Sequence, residues 1–165
     1  MADEGGCAGA ETDALEQLYR ERYRTFRDVL AGIVGSHDLA RDVVQEAFAR
    51  AVRERRRFRG EGSLEAWVWK IAVNVALKQR RSLVHERELA AEPAADAGPS
   101  DPAVRDAVLA LPPRRRLVIF LRYFADLSYR EIAEVVGVSE GTVAATLSQA
   151  HRDLAKRLER EGVRP

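Results

Sequence analysis

One cysteine, Cys7, in 165 residues leaves no disulfide framework and no cysteine-based metal site. The three histidines, His37, His85 and His151, lack ligand spacing, so no metal and no cofactor are expected. Ser, His and Asp residues form no recognisable catalytic motif, and the chain is not expected to be an enzyme. Apolar runs such as Leu117–Leu121 are far too short to span a bilayer. The N-terminus is acidic and rich in Gly and Ala, the reverse of a signal peptide, so a soluble cytoplasmic chain is expected. No internal repeat and no period-two alternation occur, which excludes a sheet protein and points to helices. Lysine is scarce (Lys70, Lys78 and Lys156 only), and arginine carries nearly all the positive charge. With abundant alanine, this fits a GC-rich coding bias.

What is present is charge in blocks. The overall balance of 27 basic and 26 acidic residues hides a strong segregation. Residues 1–13 hold four acids and no base; residues 14–81 hold fifteen bases and nine acids. Residues 82–102 hold one base and five acids, and residues 103–165 eleven bases and eight acids. Two basic blocks separated by an acidic one suggest two modules that face polyanions.

Residues 1–12 are small and polar and read as a disordered tail. From Asp13, Leu15, Leu18, Tyr19, Tyr23, Phe26 and Leu30 recur at helical spacing, ending near Gly32 and Gly35. Ser36 or Asp38 can cap a second helix with the stripe Leu39, Val43, Ala47, Phe48 and Ala51. Its opposite face carries Asp42, Glu46 and Arg50. The basic run Arg53–Arg59 follows and stops at Gly60-Glu61-Gly62. Ser63 caps a third helix with Leu64, Trp67, Ile71 and Val75 on one face and Lys78, Arg80 and Arg81 at its end. Trp67 and Trp69, two apart, point to nearly opposite sides. Trp67 shares the apolar stripe and is expected in the core; Trp69 is expected on a functional surface.

Residues 82–102 are Ala-, Pro-, Gly- and acid-rich without periodicity, a flexible linker spanning about 25 Å relaxed and at most about 70 Å extended. A short helix at Ala103–Ala110 and another opened by Pro112-Pro113 follow, the latter presenting Leu117, Phe120, Leu121 and Phe124. Then comes Leu127–Leu154. Ser128 and Glu131 form a capping box before Ile132, Ala133, Val135 and Val136. Gly137 supplies the residue that tolerates positive φ. Ser139 caps a second helix bearing Val143, Leu147, Ala150 and Leu154. That is the arrangement of the helix-turn-helix, whose second helix lies in the major groove of DNA. The expected architecture is all-α: two small helical domains, 13–81 and 103–160, joined by the acidic linker, the second a four-helix domain with a helix-turn-helix.

Over residues 14–160 the chain resembles bacterial RNA polymerase sigma factors of the extracytoplasmic-function class. DLARDVVQEAFARAV from Asp38 resembles the family's polymerase-binding segment, with Gln45, Glu46 and Phe48 at its QExF pattern. FRGEGSLEAWVWKIAVNVALKQRR from Phe58 resembles the segment that melts and reads the −10 promoter element. The stretch from Leu111 through Leu154 resembles the domain that reads the −35 element. The resemblance implies core RNA polymerase (the β′ clamp and β subunits) and promoter DNA as partners, and an anti-sigma factor that controls the protein. It implies polymerase contact through Asp38, Asp42, Gln45 and Glu46. It implies −10 contact through Arg57, Phe58, Arg59, Trp69, Asn74, Lys78, Arg80 and Arg81. The −35 contacts fall to Arg130, Ser139, Glu140, Gly141, Thr142, Ala145, Ser148, Gln149 and Arg152.

One departure stands out. Lys or Arg is usual in the family at about positions 144 and 146, and this chain has Ala144 and Thr146. A bidentate Arg–guanine contact is worth roughly 1–3 kcal/mol, so weak, salt-sensitive binding of duplex by the C-terminal domain is expected. Arg114, Arg115, Arg116, Arg130 and Arg152 are candidates for phosphate contacts. The linker length further predicts domains that move independently. Two rival readings remain: a helix-turn-helix regulator that acts without replacing a sigma factor, and a polymerase-binding adaptor with little DNA reading.

Overall fold

The computed structural model describes residues 4–86, 101–160 and Gly162, with side chains described over 11–82 and 101–160. Among the described residues seven α-helices run in chain order: α1 Glu4–Val34, α2 His37–Glu54, α3 Leu64–Glu86, α4 Pro102–Leu109, α5 Pro113–Tyr123, α6 Tyr129–Val136 and α7 Glu140–Arg160. A single 3-10 turn, Arg55–Arg57, follows α2. No strand occurs among the described residues.

Local chemistry explains most boundaries. Gly35 at φ 80° ends α1, its N–H bonded to the Ala31 carbonyl at 2.8 Å. Ser36, rather than Asp38, caps α2 by accepting from the Leu39 N–H. Asp38 sits in the first turn, where an acid suits the helix dipole. Ser63 caps α3 by accepting from Ala66 at 3.1 Å. Asp101 caps α4 through Ala103 and Val104, and Pro102 starts that helix.

In the N-terminal half, α1, α2 and α3 pack around Phe26, Val43, Val44, Ala47, Phe48, Val68 and Trp69. In the C-terminal half, α4–α7 enclose Val108, Leu121, Ile132, Val143, Leu147 and Ala150.

Four expectations are corrected. Helix α1 begins at Glu4, so residues 4–12 are helical; residues 1–3 lie outside the described residues. Helix α3 continues to Glu86, and of the linker only 87–100 lies outside the described residues. Gly32 does not end α1 but lies inside it, against Phe120 of α5. The fourth concerns the halves themselves, which pack together, α3 on α6 and α1 on α5, into one continuous core. Apolar faces on both halves, including Ile33, Leu77, Leu117 and Val136, drive that association.

Candidate polymerase- and DNA-facing surfaces

Helix α2 is two-faced. Ala40, Val43, Val44, Ala47, Phe48 and Ala51 are buried, while Asp38, Asp42, Gln45 and Glu46 are exposed on the opposite side. Phe48 is core, edge-on to Phe26 at 5.2 Å and to Tyr19 at 5.0 Å. Asp38 pairs with Arg41 at 3.1 Å, and Glu46 with Arg53 at 3.2 Å. Asp42 and Gln45 make no side-chain hydrogen bond among the described residues. Exposed local pairs contribute little to stability. This face is therefore free to meet a basic partner surface.

The second surface follows directly. The 3-10 turn and the loop 58–63 project from the end of α2, with Gly60 at φ 73° and Gly62 at φ 94° allowing the reversal into α3. Arg57 pairs with Glu54 at 3.1 Å, and exposed Arg59 has no partner among the described residues. Asn74, Lys78 and Arg81 are exposed along α3, and Arg80 is half-buried.

The tryptophans exchange the roles expected of them. Trp69 is fully buried, stacked on Phe26 with ring centroids 3.9 Å apart, its indole N–H donating to Glu65 at 3.4 Å. It cannot meet DNA. Trp67 is half-buried beside Phe58, the rings 5.6 Å apart. The inward face of α3 consists of Ala66, Val68, Trp69, Ala72, Val73 and Ala76, while Leu64, Trp67, Ile71 and Val75 lie at its edge.

Phe58, Trp67, Leu64, Leu15 and Arg55 line an apolar pocket of about 220 Å³. Arg55 donates to the Val52 carbonyl at 2.8 Å, and its buried Nε has no hydrogen-bond partner among the described residues. Trp67, Leu64 and Arg55 thus line a pocket beside the basic loop, and the sequence reading did not assign them to DNA contact. The available signal was that alanines can form the inward face, which moves Trp67 outward.

The third surface is the helix-turn-helix. Both arms of the Ser128–Glu131 capping box are present, and Gly137 closes α6 at φ 73°. Ser139 accepts from the Thr142 N–H at 3.2 Å at the start of α7. Ser139, Glu140, Gly141, Thr142, Ala145, Ser148 and Arg152 are exposed, and so is Arg130, paired with Glu134 at 3.3 Å. Gln149 is half-buried and occupied: its amide donates to Asp153 at 3.1 Å and accepts from Arg152 at 2.8 Å. Asp153 also binds Arg115. Arg116 donates to the Leu109 carbonyl at 2.9 Å. Burial, and secondarily the Arg80 guanidinium, lower the Arg116 pKa from its ordinary value. Arg114 remains exposed without a partner among the described residues.

The halves meet beside both the loop 58–63 and the helix-turn-helix. Ser63, at the end of the basic loop, hydrogen-bonds Glu131 of α6. Burial pushes the Glu131 carboxyl up, but hydrogen bonds from Ser63 and from the Ser128 N–H and hydroxyl outweigh it and hold it below its usual range. A cleft of about 450 Å³ between the halves has Ile33, Leu77, Leu117 and Phe120 on its walls and Arg80, Arg114 and Arg116 around it. No carboxylate among the described residues lines it. Among the described residues no cluster of His, Cys, Asp or Glu could hold a metal, and no helix is long and apolar enough to cross a membrane.

Both halves match known family models. Residues 18–85 match sigma-70 region 2, and residues 102–154 match sigma-70 region 4. The chain is 33% identical to the RNA polymerase sigma factor CarQ of Myxococcus xanthus, covering 87% of each chain. It is 30% identical to SigV of Bacillus subtilis, covering 91% of this chain and 89% of that one. Among solved structures, it shares its fold with the sigma factor RpoE in complex with the anti-sigma factor NepR from Bartonella quintana. That match has a TM-score of 0.71 and 24% identity, over 87% of this chain and 96% of that one. CnrH in complex with the cytosolic domain of CnrY gives a TM-score of 0.69 at 21% identity, over 93% and 95%.

Proposed function

We infer that this chain, which belongs to the extracytoplasmic-function class of RNA polymerase sigma factors, divides promoter recognition unequally between its two halves. It binds core RNA polymerase and directs promoter-specific initiation. The polar face of α2, with Asp42 and Gln45 unengaged, contacts the polymerase clamp. The basic loop and α3 hold the melted −10 element: Arg57, Arg59, Lys78 and Arg81 neutralise phosphate, and Phe58 with Trp67 offers aromatic surface to unstacked bases. Helix α7 enters the major groove at −35 and reads it weakly, since Ala144 and Ala145 carry no polar group and Gln149 is held by its neighbours. Catalysis belongs to the polymerase, and the protein acts in the cytoplasm.

The observation that carries this reading is the succession, in one chain, of an exposed polar face on α2, an arginine-rich loop beside half-buried aromatics, and a fully capped helix-turn-helix. Run-off transcription with purified core polymerase and a promoter library tests it. Promoter-specific transcripts with defined start sites are expected. No transcript above core alone under any condition would sink it.

Control by an anti-sigma factor fits the cleft between the halves, where an apolar wall ringed by three arginines suits an acidic amphipathic helix. The charge-poor face of α7 favours a second reading, a polymerase-binding adaptor that reads little DNA. Core binding with no dependence of transcription on the −10 sequence would favour that adaptor.

A further inference from the structure

We propose that the cleft between the halves is a binding site for a single-chain anionic amphiphile, an aliphatic tail that ends in a carboxylate or a phosphate. Such a ligand binds the free chain, whatever the chain does at a promoter. The cleft holds about 450 Å³, within the roughly 300–1,000 Å³ of sites that take small molecules. Its walls come from α1, α3, α5, α6 and the turn that follows: Ile33, Leu77, Leu117, Phe120, Val136 and Val138. Ile33, Leu77, Val136 and Val138 are only half-buried, so the packing of the helices leaves this apolar surface partly wet. An aliphatic tail laid along it releases that water and gains the hydrophobic free energy that the fold itself leaves unused.

The rim supplies the rest of the chemistry. Arg80 reaches it from α3, and Arg114 and Arg116 from the first turn of α5. Arg80 and Arg114 have no partner among the described residues, and Arg116 donates to the Leu109 carbonyl at 2.9 Å. With no carboxylate among the described lining residues, this positive charge is uncompensated. Burial, then the Arg80 guanidinium, lower the pKa of Arg116, which is the mark of like charges gathered beside an apolar wall. An anion relieves that repulsion, and guanidinium forks suit a carboxylate and a phosphate alike. Free phosphate would satisfy the arginines and leave the wall wet; a neutral chain would do the reverse. Only a ligand with both parts uses the whole cleft. The same placement accounts for Arg80, which the sequence assigns to −10 DNA: it is half-buried at the cleft, apart from exposed Lys78 and Arg81.

Calorimetric titration of the full chain with dodecanoate and with dodecyl phosphate, each below its critical micelle concentration, tests the site. Saturable binding of one ligand per chain is expected, with helix content unchanged by circular dichroism. Binding of either head group supports the site, and the preferred one tells a fatty acid from a phosphorylated lipid. Shortening the tail by two methylenes, to decanoate, should weaken binding about tenfold. Dodecanol and inorganic phosphate, each carrying one part of the chemistry, should bind more weakly still. Arg80→Ala with Arg114→Ala should weaken dodecanoate binding about tenfold or more. Leu77→Trp, which fills the cleft, should block it, whereas Arg157→Ala, exposed and outside the cleft, should leave it unchanged. The arginine pair decides the matter where Leu77→Trp fails to fold. No saturable uptake, dodecanol binding as tightly as dodecanoate, or unchanged affinity in the arginine pair would overturn the site. An acidic amphipathic peptide that binds where dodecanoate does not would make the cleft a protein-docking groove and overturn it equally.

Discussion

The N-terminal half is centred on aromatic rings and the C-terminal half on aliphatic side chains, and the two arrange their polar groups differently. Around Trp69, the rings of Phe26, Phe48 and Tyr19 form a connected cluster. Outside it, Arg56, Arg59, Lys78, Arg81, Asp42 and Gln45 stand exposed with no partner among the described residues. The C-terminal half is mostly aliphatic, with Leu121, Ile132, Val143 and Leu147 at its centre. Several of its polar groups bind one another: Arg115, Asp153, Gln149 and Arg152 form one chain of contacts, and Arg116 binds a backbone carbonyl. Both halves are basic, and the first gathers bases without a partner among the described residues at the loop and along α3. On the function proposed above, that grouping makes the first half the stronger nucleic-acid contact.

Exchanging the tryptophans sharpens the contrast most. Trp69→Ala should cost about 3–5 kcal/mol of stability, as for a large core aromatic, seen in chemical denaturation. Trp67→Ala should leave stability nearly unchanged and weaken binding of a single-stranded −10 non-template oligonucleotide by the holoenzyme, by about 1–3 kcal/mol. If Trp67→Ala unfolds the protein and Trp69→Ala does not, the assignment of α3's inward face is wrong.

Next in size is the α2 face. The pair Asp42→Lys and Glu46→Lys should weaken core polymerase binding by roughly 2–5 kcal/mol while the melting temperature barely moves. Unchanged affinity for core would place the interface elsewhere. In the C-terminal half, Ser139→Ala should cost about 1 kcal/mol through loss of the α7 cap, measured by thermal unfolding. Gln149→Ala should alter −35 preference little, since its amide is already occupied; a changed −35 consensus among selected promoters would contradict that.

The smallest effect concerns acid. The Glu131 carboxyl is held below its usual 4.5, so its bonds to Ser63 and Ser128 are complete at neutral pH. They are lost only as pH falls below 4.5 through the depressed value. Glu131→Gln should remove that acid-dependent component of compaction in scattering measured across the range.

Much of this was legible because it is local. Ser128, Glu131, Gly137 and Ser139 act within one helical turn of where they stand, and each behaves as its chemistry dictates. The polar face of α2 was equally readable, since Phe48 and its neighbours mark the opposite side. Helix α3 was misread because its inward face is built partly from alanine. Ala66, Ala72 and Ala76 permit close helix contact without announcing it as leucine would, and the larger Leu64 and Ile71 drew Trp67 inward on paper. The association of the halves was not legible at all. Phe120 and Leu77 read equally well as core of their own halves, and Gly32 reads as a helix end until its neighbour is known.

The unequal division of promoter reading is tested most directly by run-off transcription on templates with either element scrambled. Scrambling −10 should abolish promoter-specific transcripts, and scrambling −35 should reduce them only a few-fold. Transcription that survives loss of −10 but disappears with −35 would contradict the account.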